Sequence, residues 1–261
     1  MNRTADWSLG NTGQGVIVLN HLRVLPAAVV AIGFAVLARS LGAVSDGGAL
    51  AGVLVAFLMM LAAGLAGFLP LVAVFALTLV ATRWRSERKR NMGVAERGKG
   101  RSAWQVLANL GAASLCAAAV IVFPRFSDIL MVGALAALAE AAADTVSSEA
   151  GQAAAKQARM IVDFKPAPIG TNGAISLEGT FAGCLAACIV AWVGTFFGVV
   201  PARWGAVIAG AGVAGMFCDS LLGATLENRG KMGNDSVNFV STVFAADLAF
   251  ILVLVMDGVR M

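Results

Sequence analysis

Charge is scarce in this chain. Only 13% of the residues are Asp, Glu, Lys or Arg, against about 25% in soluble domains, which excludes an ordinary water-soluble globule. Histidine is nearly absent, with His21 alone. The four cysteines, Cys116, Cys184, Cys188 and Cys218, all lie in apolar runs and form no Cys-x-x-Cys pair. A zinc site is therefore not expected, and the cysteines read as small apolar packing residues. The first 20 residues hold no apolar core of the kind a cleavable signal needs. Residues 1–21 read as a polar N-terminal segment, and the first apolar stretch after it reads as a retained signal anchor.

What the chain has is hydrophobic length. Hydrophobic residues make up 59% of it, glycine numbers 30, and the mean hydropathy is +0.84. Residues 102–123 and 179–200 are uncharged runs of 22, each long enough for one crossing. Residues 47–82 are uncharged for 36, too long for one crossing, and the Gly67-Phe68-Leu69-Pro70 sequence is expected to break them into two helices. Segments at 24–38, 128–150, 206–226 and 238–256 complete the set. The expected fold is all-α: a polytopic membrane helix bundle in residues 22–261 with eight transmembrane helices, or seven if the first lies flat. The weak likeness of residues 42–52 to 169–179 makes a parallel internal repeat a candidate, and chance similarity of Gly-rich segments is an equal one.

With eight crossings the connections fall on two sides. One side carries 14 basic residues, eight of them in the loop 83–101, and the other carries 5. The positive-inside rule makes the first side cytoplasmic and puts both termini outside, as in a bacterial-type inner membrane.

Acids mark two of the apolar segments. Glu140, Asp144 and Ser148 share one helix face, and Asp219, Gly223 and Glu227 share another. Ionisable groups at such depth are costly and usually mark a pathway or a reaction site. No Lys or Arg lies within the apolar runs to pair with them, so clustered carboxylates suggest a divalent cation. Mg²⁺ suits one or two carboxylates completed by substrate phosphates. Asp144, Asp219, Glu149 and Glu140 are the candidate ligands. Asp247 stands apart and reads as a helix-contact residue.

Two loops are candidates for phosphate. Residues 93–100 nearly match a P-loop, but Gly100 stands where Ser or Thr must follow the lysine, and no apolar strand precedes it. Either the basic loop sets topology and meets anionic lipid, or Lys99 and Arg101 also clamp phosphate. Arg88, Lys89 and Arg90 read as topology charges. The loop Gly170-Thr171-Asn172-Gly173 ahead of the sixth segment offers backbone N–H groups to an anion, or is a turn with Asn172 as a helix cap. Asn109 and Asn238 sit on the same side of the bundle and are expected to orient phosphates.

These segments resemble an integral-membrane family that contains the plant phytyl-phosphate kinases and the animal transmembrane protein nineteen. The resemblance is carried by residues 42–52, 100–109, 170–180, 219–226 and 237–242, and by Asp144-Thr145-Val146-Ser147-Ser148-Glu149. It covers roughly residues 35–255. It implies a multi-helix membrane protein and, for its plant members, phosphorylation of an isoprenoid monophosphate to the diphosphate, with CTP preferred as donor. Phytyl diphosphate then feeds tocopherol and phylloquinone synthesis. The resulting expectation is a Mg²⁺-dependent transferase using CTP or ATP on a prenyl monophosphate at the cytoplasmic surface, with no nucleic-acid partner. The alternatives are a cytidylyltransferase forming a CDP-lipid, a transporter or flippase, and a scaffold that leaves the acids unexplained.

Overall fold

The computed structural model describes residues 13–94 and 100–258, with side chains from residue 23 onward. Lys99 lies outside the described residues, as do the first part of the polar N-terminal segment and the last three residues. Among the described residues, seven helices are long and apolar enough to cross a membrane. In chain order the helices are α1 (Gly13–Ser40), α2 (Asp46–Arg83), the short α3 (Ser86–Asn91), α4 (Ala103–Val122), α5 (Ser127–Ala154), α6 (Leu177–Phe196), α7 (Gly205–Leu222) and α8 (Asn234–Gly258).

The second of these is a hairpin. Ala63 and Gly64 leave helical geometry, and Gly64 takes φ +62°. A Cβ on Gly67 would lie 3.0 Å from the Met59 carbonyl oxygen. In a straight helix, eight residues separate two positions by about 12 Å, so the chain must double back. The two ends agree: Arg83 Nη2 donates to Leu41 O at 2.5 Å, just before α2 begins. The reversal falls at Ala63–Gly64, not at the 67–70 sequence, because a glycine in the left-handed region turns the chain. Pro70 is instead carried inside the second arm. Residues 46–62 and 65–83 thus form arms of about 25–29 Å at 1.5 Å per residue, close to the thickness of a hydrocarbon core. The bundle therefore has eight rods.

Helix α1 packs along this hairpin, so it belongs to the bundle. Ala27, Ala31, Ala35 and Ala38 form its buried stripe, while Leu25, Val29, Ile32 and Val36 are exposed on the other face. Phe34 meets Phe68 and Phe75 edge-on, each at 5.1 Å. Both faces of the helix are apolar, as expected when one meets protein and the other meets lipid.

Helix α5 is the axis. Every residue from Met131 to Ala143 is buried, and α2, α4, α6, α7 and α8 all pack on it. Its alanines and the glycines of its neighbours allow this approach. A Cβ on Gly183 of α6 would meet Ala143 O at 2.8 Å, and one on Gly212 of α7 would meet Ala139 Cβ at 2.8 Å. Asp247, expected at a helix contact, is instead exposed on α8.

The connections separate into two ends. At one end, residues 41–45 pair with residue 101 through a parallel bridge between Val44 and Arg101, and Asn228 Nδ2 donates to Asn172 O at 3.0 Å. Also at this end, between α5 and α6, lies a small antiparallel sheet that the sequence did not announce. Its strands are β1 (Ala158–Met160), β2 (Pro166–Ala167) and β3 (Ala174–Ile175), ordered β2-β1-β3. Its strands are too short to show a period of two.

Helix caps also redraw the internal repeat. Ser45 caps α2 by accepting from Gly48 N at 3.1 Å, and Ser176 caps α6 by accepting from Gly179 N at 3.1 Å. Ser45 and Ser176 thus share a role, whereas aligning 42–52 with 169–179 sets Ser45 against Asn172. Asn172 is not the cap.

Candidate functional site

The floor of the site is built by three helices that converge on α5. Asp144 projects from α5, Asp219 from α7, Asn238 and Ser241 from α8, and Asn109 from α4. Ser241 Oγ donates to Asp219 Oδ2 at 3.3 Å. The Asn238 amide, oriented with its oxygen toward Asn109 Nδ2 at 3.0 Å, donates to Asp219 Oδ2 at 3.1 Å. Asn109 Nδ2 is anchored in turn on Gln105 O at 2.9 Å. A line of hydrogen bonds therefore runs from α4 through α8 to the Asp219 carboxylate and fixes its orientation. Asp144 lies within electrostatic reach of both Asp219 and Arg101.

Arg101 is placed by backbone. Its N–H donates to Ala43 O and its carbonyl accepts from Ser45 N, both at 3.0 Å. The strands cross so closely that a Cβ on Gly48 would collide with the Arg101 carbonyl. Gly100, at φ +88°, supplies the turn into the bridge. The guanidinium is thereby delivered next to α5, where Nη2 reaches Thr145 Oγ1 at 3.4 Å.

Above the floor, the loop 168–173 forms a wall. Gly170 and Gly173 have φ +87° and +77°. A Cβ on Gly173 would strike Ala224 at 2.5 Å, so the loop lies directly against the end of α7. There the helix widens into a π turn over Gly223–Glu227, a feature often found beside functional sites. The loop ends before α6 begins at Leu177, so it is not that helix's N-terminus. Lys165, near this loop, pairs with Asp163 at 2.9 Å in solvent. Lys165 holds the Asp163 carboxyl below the usual carboxylate range, mainly through their side-chain hydrogen bond.

Together these groups enclose a polar cavity of about 350 Å³ at one end of the bundle. Arg101, Asn109, Asp144, Glu149, Gly170, Thr171, Asn172, Gly173, Asp219 and Asn238, separated widely in the chain, all line it. So does Glu227, whose spacing puts it on the Asp219 face although it was not among the candidate ligands. Thr145 lines the cavity as well. Ser241 was also missed; its signal was its place three residues after Asn238, on the same face. Glu140 is not on the cavity wall. It is 1% exposed and lies beneath the floor, with Oε1 lacking a hydrogen-bond partner among the described residues.

Glu149 and Lys89 depart from expectation. Lys89, read as a topology charge, is 2% exposed. It donates to Glu149 Oε2 at 2.5 Å, to Thr82 O at 2.7 Å and to Ala81 O at 3.1 Å. The carbonyls at the end of a helix bear partial negative charge, which draws in the ammonium; Ala81 O accepts from it in addition to the Trp84 N–H. Arg85 and Arg88 act similarly on α5, donating to Ala153 O at 3.3 Å and Ala155 O at 3.0 Å. Glu149 thus has a cationic partner, folded in from the basic loop.

Chemically, the cavity offers oxygen donors, amides and one guanidinium. Among the described residues, no group of three or more His, Cys, Asp or Glu side chains is arranged to hold a metal ion by itself. A zinc-type cage is not what this donor set resembles. Two carboxylates on opposing helices suit a hard cation that completes its shell with phosphate and water, as Mg²⁺ does.

The fold and site define a class: polytopic helical membrane proteins with a buried acidic and amide-lined cavity at one end of the bundle. More particularly, the chain belongs to the integral membrane protein family DUF92, whose model matches residues 29–246. It is 33% identical over 196 residues to Protein VTE6, chloroplastic, of Arabidopsis thaliana, covering 72% of this chain and 59% of that protein. The chain thus spans less than two thirds of that relative's length. An uncharacterized membrane protein of Synechocystis is 33% identical over 193 residues, covering 72% of this chain and 74% of its own. Protein PGR of Arabidopsis thaliana is 31% identical over 208 residues, covering 69% of this chain and 72% of its own. No solved structure matches.

Proposed function

We propose that this protein transfers a phosphoryl group from a nucleoside triphosphate to a prenyl monophosphate, giving the diphosphate, at the cytoplasmic face of the membrane. The observation that carries the reading is the polar cavity itself. A mostly apolar bundle directs four carboxylates, several amides, a guanidinium and a glycine-rich loop into one space at one end. The family resemblance to plant phytyl-phosphate kinases supplies the substrate class.

Phosphoryl transfer depends mainly on positioning and charge neutralisation. An ionised oxygen of the acceptor phosphate attacks the γ-phosphorus, the bond to the β–γ bridging oxygen breaks, and the nucleoside diphosphate leaves with that electron pair. The nucleophile is already anionic, so no general base is required, and the shortage of histidine is no obstacle. In this reading Arg101 holds a phosphate through its fork of N–H donors, and Lys99 assists from the same loop. The 170–173 backbone cradles a second phosphate. Asn109 and Asn238 keep Asp219 aimed into the cavity, with Ser241 as a further donor. Asp144 and Asp219 would hold Mg²⁺, which when bound neutralises phosphate charge. Glu149 is assigned as counter-ion to Lys89, not as a metal ligand, and Glu140 as support beneath the floor.

The test is purified protein with Mg²⁺, a panel of prenyl monophosphates, and labelled CTP or ATP, read by product mass. A prenyl diphosphate with nucleoside diphosphate is expected. Pyrophosphate with a CDP-lipid would replace the reading by cytidylyl transfer in the same cavity, and no product with any acceptor would overturn both.

A further inference from the structure

A second cavity, of about 270 Å³, lies between α1, the α2 hairpin and α4. Its walls are small or apolar: Ala38 from α1, Gly52 and Val55 from the first arm, Val74 and Phe75 from the second, and Leu110 from α4. The two cavities have walls in common. Arg101 and Asn109 line both the apolar cavity and the polar one. Leu41 lies at the edge of the apolar cavity and is exposed on the bundle surface.

A polar chamber and an apolar chamber that meet at a guanidinium suit one kind of ligand: an amphiphile with an anionic head and a hydrocarbon tail. The geometry points to this apolar cavity as the acceptor's tail site, with Arg101 at the boundary where phosphate joins hydrocarbon. This inference rests on the prenyl-phosphate reading above. Size sharpens it. Pockets that bury a whole drug-sized ligand hold about 300–1,000 Å³, and this one is smaller. It encloses only the part of the chain nearest the phosphate, and the remainder extends beyond the cavity into lipid. The protein therefore selects the first isoprene units and is indifferent to total chain length.

Gly52 is the place to test this. A Cβ added there would meet nothing within 4 Å, so a larger side chain enters the cavity without striking the backbone. Gly48 does not serve, because its added Cβ would hit the Arg101 carbonyl. Gly33 is the control: it is exposed on α1, does not line the cavity, and its Cβ also meets nothing within 4 Å.

The experiment photo-crosslinks the purified full chain with phytyl monophosphate bearing a diazirine on its first isoprene unit, and maps labelled peptides by mass. Binding and turnover are measured in parallel for the unaltered protein, Gly52→Phe and Gly33→Phe, with unfolding temperatures confirming equal folding. Labels are expected within residues 34–55, 71–83 and 100–110. Gly52→Phe should bind about tenfold more weakly or worse, and Gly33→Phe should match the unaltered protein. Labels confined to other helices, with turnover intact, would overturn the tail site and leave the kinase reading standing. Labels in the cavity with no turnover on any acceptor would support the tail site and overturn the kinase reading. Absence of any specific label would overturn the tail site.

Discussion

At the scale of single residues, Asp219 and Asp144 stand in different settings and should respond differently to change. Asp219 accepts from Ser241 and Asn238, so Asp219→Asn removes the charge and sets two donors against an amide. Asp144 faces Arg101 and Asp219, so Asp144→Asn leaves the guanidinium less neutralised. Both substitutions should lower kcat by on the order of 10²-fold or more, the scale seen when a positioned electrostatic group is lost, while the protein still inserts and folds. Steady-state kinetics on detergent-purified variants check this, and near-normal turnover by either would remove that carboxylate from the active machinery. Arg101→Ala should raise KM, and lower kcat as well if its phosphate contact tightens in the transition state. Arg90→Ala, at an exposed position in the same loop, should change neither constant.

At the scale of elements, the Lys89–Glu149 pair fastens α3 to the ends of α2 and α5. Its lysine is buried and its glutamate is 14% exposed. Breaking a buried pair from one side strands the other charge, at about 3–5 kcal/mol, whereas removing both is often far milder. Lys89→Met and Glu149→Gln should each lower the unfolding temperature, and the double variant should recover part of that loss. Thermal unfolding in detergent gives the cycle, and additive losses would show that the pair has no coupling. The packing of α7 on α5 makes a separate demand. A Cβ on Gly215 would lie 2.5 Å from Glu140 Cγ and 3.0 Å from Ala245 Cβ. Gly215→Val should therefore cost about 1–3 kcal/mol from overpacking, seen as reduced thermal stability with the oligomeric profile unchanged. These elements show what the sequence could and could not reveal. Helix existence was legible because apolar length is a local property, and the need to break the 36-residue run was legible for the same reason. The break point was not, since Gly64 and Gly67 look alike until one adopts a positive φ. The convergence of Asp144, Asp219, Asn109 and Asn238 was legible from the common end of their helices. Burial of Lys89 was not, because a charge run in a loop gives no sign of which member will turn inward onto helix carbonyls.

At the scale of the whole molecule, the bundle has a polar end and a plain one. Eight rods place residues 41–45, 84–94, 100–102, 155–176 and 228–233 at the end that holds the cavity, tied by contacts such as Arg83 to Leu41 and Asn228 to Asn172. The other end carries the turn at Ala63–Gly64 and the short connections around Pro124–Phe126 and Ala202–Trp204, where Arg203 comes 3.9 Å from Asp257. Most of the described basic residues lie at the cavity end, including Arg85, Arg88 and Lys89, whose side chains are fixed on helix carbonyls. In the orientation proposed above, which rests on the positive-inside rule, those charges would serve both insertion and architecture. A nucleotide made in the cytoplasm could then enter the cavity directly, and the lipid acceptor would approach from the side. We predict that single cysteines placed at exposed Arg90 and Lys156 are shielded from a membrane-impermeant maleimide in intact cells and become reactive after permeabilisation, while one at exposed Arg125 reacts in both. The native cysteines all lie within helices, and Cys116 is buried, so the unaltered protein provides the background to subtract. Labelling of positions 90 and 156 from outside would invert the bundle. It would place the cavity away from cytoplasmic nucleotide and overturn the proposed donor.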